Sequence, residues 1–467
     1  MSSRALILRN VEIDGRSGLD VRVAHGVIKE IGALLEGRAD EIDGRGGALI
    51  PGLVDHHIHL LALARQASSI DLTTATTAAA LQALLTRASA NVPRGTWLRA
   101  VQYHEHGATL LSRDELDHIV PAHPLRVQHQ TGALWILNSR ALEAVCRSDL
   151  PDCVERDANG RATGRIWRGD AWLHSRMPTQ SLALDAVGRQ LASYGFTALT
   201  DASATTGESA AKHLAKAVRE RALPQRLSLM SAGELHAPED GAFAVGAVKV
   251  LLDDAQLPEF AAMTARIARA RTWQRRVAVH CVTAGELALT LAAFREAGTL
   301  PGDRIEHGGM ISADAIAEIK ALGLAVVTQP GFVLARGDRY LQTVAAAEHD
   351  DLYRCASLLR AGVVVAASSD APYGPVDPWL AMRAAIERRT SADQLLGPDE
   401  RVDPRTALEL FTQAPFVPMR RPLQLVVGAR ADLCLLRAPL QQACSDLDAK
   451  LVRATLIDGR IEHGLAD

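Results

Sequence analysis

Eight short, nearly continuous apolar runs recur along this chain, at residues 50–56, 197–201, 226–231, 245–252, 276–282, 303–307, 324–329 and 363–369. Continuous hydrophobicity, in place of alternation, marks strands buried on both faces, and most of these runs are followed by an amphipathic helical pattern. Two of the helices carry their own punctuation. Ala284 to Glu296 stops before Gly298, and Ser312-Ala313-Asp314 opens a helix reaching Leu322 and Gly323. Strands alternating with helices in this way predict an α/β fold, a TIM-like (β/α)8 barrel within residues 49–424. With 467 residues and 48% hydrophobic content, the chain can fill the core of such a barrel and of a smaller domain beside it.

The ends of the chain have a different texture. Ala5 to Ile13, Val21 to Ala24 and Val27 to Ile31 read as short strands with Gly and Asp at their breaks, as do 431–436 and 452–457 ahead of Asp458-Gly459-Arg460. Neither end holds enough apolar surface to fold alone, so we expect one composite β-sandwich from 1–48 and 425–467. The barrel rhythm also lapses between 61 and 196, a stretch containing Trp97, Tyr103, Trp135, Trp167 and Trp172. That concentration of aromatics predicts an inserted subdomain over the barrel mouth that shapes a substrate pocket; the alternative is that the rings form the insert's own core.

Barrel enzymes carry their chemistry at the C-terminal ends of the strands. The first run ends in Asp55-His56-His57-Ile58-His59, where alternation puts Asp55, His57 and His59 on one face. Lys249 lies inside the fourth run, and the fifth ends in His280. The sixth ends in Glu306-His307, and the eighth in Ser368-Ser369-Asp370-Ala371-Pro372. Each residue has a bland alternative: a hydrogen-bonded structural histidine, or an aspartate capping a turn. Lys249 is harder to explain that way, because a lysine in a buried strand must shed its charge or meet anions. Six such groups at corresponding strand ends point jointly to one shared site. Neutral imidazoles with a carboxylate suit a divalent transition metal.

Pro51-Gly52-Leu53-Val54-Asp55-His56-His57-Ile58-His59, Val248-Lys249, Val279-His280, Arg304-Ile305-Glu306-His307 and Ser369-Asp370-Ala371-Pro372 together resemble the metal-site motifs of the amidohydrolase superfamily. The nearer likeness is to amidohydrolase family 3, the branch that includes N-substituted formamide deformylases. It extends to Asn138-Ser139-Arg140-Ala141-Leu142, to 156–164 and to 428–433, and so covers nearly the whole chain. Two departures bear on substrate specificity, not on the metal site. Gly132-Ala133 stands where the family usually has Gly-His, and Asp253-Asp254 where it has Asp-Gly.

The resemblance implies that His57, His59 and Asp370 hold one metal, and His280 and His307 a second, with Lys249 bridging if carboxylated by carbon dioxide. One or two divalent ions, zinc first among them, would give hydroxide at neutral pH by lowering the pKa of water to about 7. That hydroxide would attack a carbonyl carbon, and Asp370 would carry the proton to the leaving nitrogen. The expected reaction is hydrolysis of an amide-type C–N bond in an N-acyl, N-formyl or cyclic amide. Ester or lactone hydrolysis uses the same nucleophile and stays open. Deamination is disfavoured, because Thr283 occupies the place where related deaminases carry a glutamate. A catalytically inactive scaffold would show substitutions among the ligands, and this chain has none.

For substrate contact the candidates are Tyr103, His104, Trp135, Arg336 and Tyr373. His104-Glu105-His106 is a second H-x-H, but it follows no barrel run and reads as pocket-lining or surface. The segment 330–351, with Arg336, Arg339 and Tyr340, reads as a lid or a long surface loop, and Arg336 could pair a substrate carboxylate. Cys281 follows His280 and would face away from the metal as a buried structural thiol.

A net charge of −3 gives no electrostatic case for nucleic acid or an anionic membrane. The expected partner is a small-molecule substrate, and homo-oligomerisation is compatible with the sequence. Cysteines 146, 153, 281, 355, 434 and 444 form no C-x-x-C pair, which suits a reducing compartment. With no bilayer-length apolar run and no export-type leader, the expectation is a cytoplasmic protein.

Overall fold

The computed structural model describes residues 5–37, 39–104, 110–131, 133–146, 150–177, 182–418 and 422–464. The chain separates into two compact units, one of residues 1–63 with 184–467 and one of residues 64–183. The insert is thus shorter than the expected 61–196. Its C-terminal neighbour, the helix Leu184–Ser193, belongs to the larger unit, where Gln225 Nε2 donates to Gly188 O at 2.8 Å.

All eight predicted runs form strands of one parallel sheet: β1 (Leu53–Ile58), β2 (Phe196–Asp201), β3 (Arg226–Ser231), β4 (Ala244–Val250), β5 (Val277–Cys281), β6 (Arg304–His307), β7 (Ala325–Thr328) and β8 (Val364–Ala367). They neighbour one another in chain order. The sheet curls so that β8 returns beside β1, where Asp370 N donates to His57 O at 2.8 Å and His59 N to Ala371 O at 2.9 Å. Helices cover the connections. Ala284–Ala297 is opened by Thr283 and Glu286 as a reciprocal cap, and Ala313–Ala321 by Ser312; Gly298 and Gly323, at φ 76° and 67°, follow their C-terminal ends. The segment after β7, expected as a lid or loop, is instead the helix Gly331–Thr343 followed by a 3₁₀ stretch, Ala346–Asp351. An apolar stripe explains the helix: Phe332 and Val333 are buried against Leu352, Tyr353 and Leu396.

The apolar run at 50–56 serves two sheets. Leu49–Pro51 pairs antiparallel with Leu433–Leu436 in a small four-stranded sheet, and only after Gly52 does the chain enter β1. The small sheet therefore reaches past the expected boundary at 48. Gly52 makes the switch sterically feasible, since a Cβ there would lie 2.1 Å from Thr197 Cγ2. A second four-stranded sheet comes from Leu6–Ile13, Arg16–Ala24, Val27–Gly32 and Asp40–Asp43. The two sheets share a core in which Leu6, Leu8, Val11 and Val21 meet Leu49, Leu433, Leu435 and Leu456. Each such side chain contributes about 1.5–3 kcal/mol by leaving water, so the two chain ends stabilise each other.

Residues 64–183 build a six-stranded sheet, in the order Val154–Arg156, Ala162–Trp167, Leu134–Leu137, Leu125–His129, Leu98–Tyr103, Ile70–Asp71. The Asn138-Ser139 motif is a helix cap here. Asn138 Oδ1 accepts from Ala141 N and Leu125 N, both at 3.0 Å, while Nδ2 donates to His123 O at 2.8 Å. Among the described residues no helix is long and apolar enough to cross a membrane.

Candidate metal centre

His57 and His59 arrive on β1 and the residue just past it, Lys249 on β4, His280 on β5, His307 on β6, and Asp370 shortly after β8. The tightest group is His57, His59 and Asp370, whose ligand atoms all lie within 4.8 Å of one another. Asp370 Oδ1 is 3.1 Å from His59 Nε2 and 3.4 Å from His57 Nε2. Ligands held at about 2.0–2.2 Å by one tetrahedral ion stand at such mutual distances, so the spacing fits a shared divalent ion. Asp370 Oδ1 is also buried and has no hydrogen-bond partner, an expensive state that a bound cation relieves. The rings of His57 and His307 lie 4.7 Å apart, and those of His307 and His280 4.5 Å. Lys249 Nζ sits 3.5 Å from His57 Nε2, completing the convergence of all six predicted residues.

Burial sets the protonation of the innermost groups. His57 and His307 are held well below the usual imidazole pKa, first by burial and then by neighbouring cations, among them Lys249. They are therefore neutral at pH 7, with lone pairs available. Burial also pushes the Lys249 ammonium down to about 8, against the pull of Glu306 and Asp370.

The far sides of the rings are fastened by residues to which the sequence assigned no role. The Nδ1–H of His57 donates to the Glu306 carboxylate, leaving Nε2 facing the centre. Glu306 is fully buried and also accepts from Arg304 Nε at 2.5 Å, while Arg304 Nη2 donates to His56 O at 2.9 Å. His59 Nδ1 and Ser203 Oγ are bonded at 2.9 Å. His307 Nδ1 donates to Gln329 Oε1 at 2.9 Å, and Gln329 Nε2 donates to Ser368 Oγ at 2.9 Å, which fixes the amide's orientation. Asp55 ties β1 to the end of β8, accepting from Ser369 Oγ at 2.5 Å and Ser369 N at 3.1 Å. His307 and Asp370 adopt φ of 69° and 53°, left-handed conformations that cost non-glycine residues energy and are typical of functional sites.

Tyr373 stands at the exposed edge, its ring 5.3 Å from that of His59. Arg336 joins it there, donating to Tyr373 O at 2.8 Å while stacking 3.9 Å from the Phe332 ring centroid. Tyr103, His104 and Trp135 belong to the other unit. Tyr103 is part of that unit's core, with its hydroxyl accepting from Leu111 N at 3.1 Å; Trp135 is buried and donates from Nε1 to Asp170 Oδ1 at 2.8 Å. His104 is half-buried just after the Leu98–Tyr103 strand, and Glu105 and His106 lie outside the described residues. Cys281 is buried with its thiol against Thr290 Oγ1 at 3.3 Å. Thr283 caps a helix and donates to Asp254 Oδ1 at 2.7 Å.

The chain is similar to an N-substituted formamide deformylase from Arthrobacter pascens, at 25% identity over 98% of this chain and 97% of that one. Among solved structures it resembles an uncharacterized metal-dependent hydrolase from Pyrococcus horikoshii, with a TM-score of 0.72 at 19% identity, covering 98% of this chain and 99% of that one. It also resembles N-isopropylammelide isopropylaminohydrolase from Burkholderia multivorans, with a TM-score of 0.52 at 18% identity and 98% of each chain covered. These two likenesses concern the fold. The pattern of the amidohydrolase family matches residues 40–463, which takes in every residue of the metal centre, and the chain accordingly belongs to the amidohydrolase family.

Proposed function

We propose that this amidohydrolase hydrolyses an amide-type C–N bond, in an N-acyl, N-formyl or cyclic amide, with Asp370 as the proton shuttle. The observation that carries the reading is the Asp370 carboxylate, buried and without a hydrogen-bond partner at Oδ1 among the described residues, within 3.4 Å of the His57 and His59 imidazoles. His57, His59 and Asp370 would hold one divalent ion, zinc by the character of the donors, and His280 with His307 a second. Bound there, the metal supplies Lewis acidity that acidifies water and polarises a carbonyl oxygen. Asp370 takes the proton lost by water and returns it to the leaving nitrogen. Glu306, Ser203 and Gln329 keep the imidazoles aimed while this happens.

Lys249 suits the bridging role once its neutral amine adds to carbon dioxide, forming an N–C bond and losing a proton. Its burial and lowered pKa support that reaction. Tyr373 and Arg336 border the open side of the centre and are our candidates for substrate contact. Deamination is not favoured, because Thr283 is committed to capping its helix. The six thiols are free, in keeping with a cytoplasmic location.

The test is a hydrolysis panel of N-formyl, N-acyl, cyclic amide and ester compounds, run with the wild type and Asp370→Asn. Carboxylate and amine should appear together from amides, and Asp370→Asn should stay folded while losing about 10²–10⁴-fold in turnover. Near-normal turnover in that variant would sink the assigned role. Ammonia released from aminated rings without carboxylate would replace hydrolysis by deamination.

A further inference from the structure

In the unit of residues 64–183, the central strands send Leu98, Ala100, Leu125, Val127, Leu134 and Ile136 into one core. Their alternate residues occupy the other face, where Arg99 lies opposite Arg126 in register and Gln128 opposite Trp135. Both guanidiniums stack on one buried indole: Cζ of Arg99 is 5.6 Å and Cζ of Arg126 5.0 Å from the Trp135 centroid. The ring is held from its other end by Asp170.

Among the described residues, none carries a charge that pairs with this positive cluster. Arg99 spends its donors on neutral acceptors, Ser69 Oγ at 2.8 Å, Gln128 Oε1 at 3.0 Å and Arg65 O at 3.5 Å. Arg126 Nε is buried with no hydrogen-bond partner. A third arginine, Arg65, is close enough to repel both. Among the described residues no carboxylate lies within 4.0 Å of any of the three, although in the same unit Arg161 pairs with Asp114 at 2.9 Å and Arg165 with Glu155 at 3.1 Å. Burial, with like charges added, lowers the hold of Arg126 on its proton to about 10. Half-buried guanidiniums assembled without anions cost stability, and an anion bound between them offsets that cost.

We propose that the Arg99–Arg126–Trp135 face is a binding site for a small organic carboxylate. Guanidiniums lying on an indole present a flat edge of N–H donors, which matches a planar carboxylate in bidentate fashion better than a tetrahedral phosphate. Gln128, with Oε1 already taken by Arg99, adds its amide N–H. The site is independent of the hydrolytic reading and stands on residues of one unit.

The experiment measures thermal midpoints and calorimetric titrations of the full chain with acetate, benzoate, inorganic phosphate and matched sodium chloride. Wild type should gain stability saturably with the carboxylates. Arg99→Met and Arg126→Met should weaken that binding about tenfold or more without lowering the ligand-free midpoint. Gln128→Leu, which leaves the charges in place, should weaken it less, and Arg161→Met should change nothing. Binding should persist in His59→Asn, which separates this site from the metal centre. The proposal is overturned by any of four results: no saturable carboxylate binding, equal binding in both arginine variants, a response reproduced by chloride, or binding of phosphate alone. Loss of binding in His59→Asn with retention in the arginine variants would also overturn it.

Discussion

Glu306→Gln tests whether the metal centre depends on the buried charges behind it. The glutamate is fully buried and uses both oxygens, one for Arg304 Nε and one for His57 Nδ1–H. Glutamine keeps the shape, so no cavity forms, but it offers one acceptor and one donor in place of two acceptors. If its oxygen faces Arg304, its NH2 meets His57, which must then carry its proton on Nε2 and turn an N–H, not a lone pair, toward the centre. If its oxygen faces His57, Arg304 loses the only anionic partner it has among the described residues while remaining 1% exposed. Removing one partner of a buried pair costs about 3–5 kcal/mol, a large fraction of the ~5–15 kcal/mol by which folded proteins are stable. Loss of a group that orients a metal-binding histidine costs about 10–100-fold in metal affinity. Urea unfolding of the metal-free protein reads the first effect, and competition titration of zinc against a chromophoric chelator reads the second. A variant that unfolds within about 0.5 kcal/mol of wild type and binds zinc equally well would refute the reasoning.

Two further outcomes follow from packing. Gly52→Ala should destabilise the protein by at least about 1–3 kcal/mol in urea unfolding, because the added methyl group meets Thr197 at 2.1 Å at the point where the small sheet hands over to β1. Cys355 and Cys434 are buried, and burial pushes both thiols up to about 12, so iodoacetamide at pH 7.5 should leave them unmodified in the native protein and label them after unfolding; mass spectrometry of native digests showing either one alkylated would contradict the burial.

The barrel strands were legible because burial on both faces writes continuous apolar runs, and the six converging residues because five stand at or just past the ends of those runs and Lys249 is a charge inside one. What lay behind them was not legible. Glu306 adjoins His307, so strict alternation would send the two to opposite faces. His307 leaves the β-region at φ 69°, and both side chains reach the centre. Ser203 and Gln329 sit just past their strands, in stretches whose polar residues have no distinguishing pattern. The 50–56 run looked like one strand because apolarity does not record which sheet a residue joins; the division at Gly52 is set by tertiary contact with Thr197 and Asp432. The segment 330–351, with its arginines and Tyr340, reads as a lid or a long surface loop, although Phe332, Val333 and Gly337 form a buried stripe at helical spacing.

Metal content measured together with turnover tests the central claim most directly. Purified wild-type protein should carry at least one divalent ion per chain, lose both metal and amide hydrolysis on dialysis against a chelator, and regain both when zinc is added. His59→Asn should bind less metal and stay inactive after the same addition. Full hydrolysis by wild-type protein stripped of metal would contradict the account.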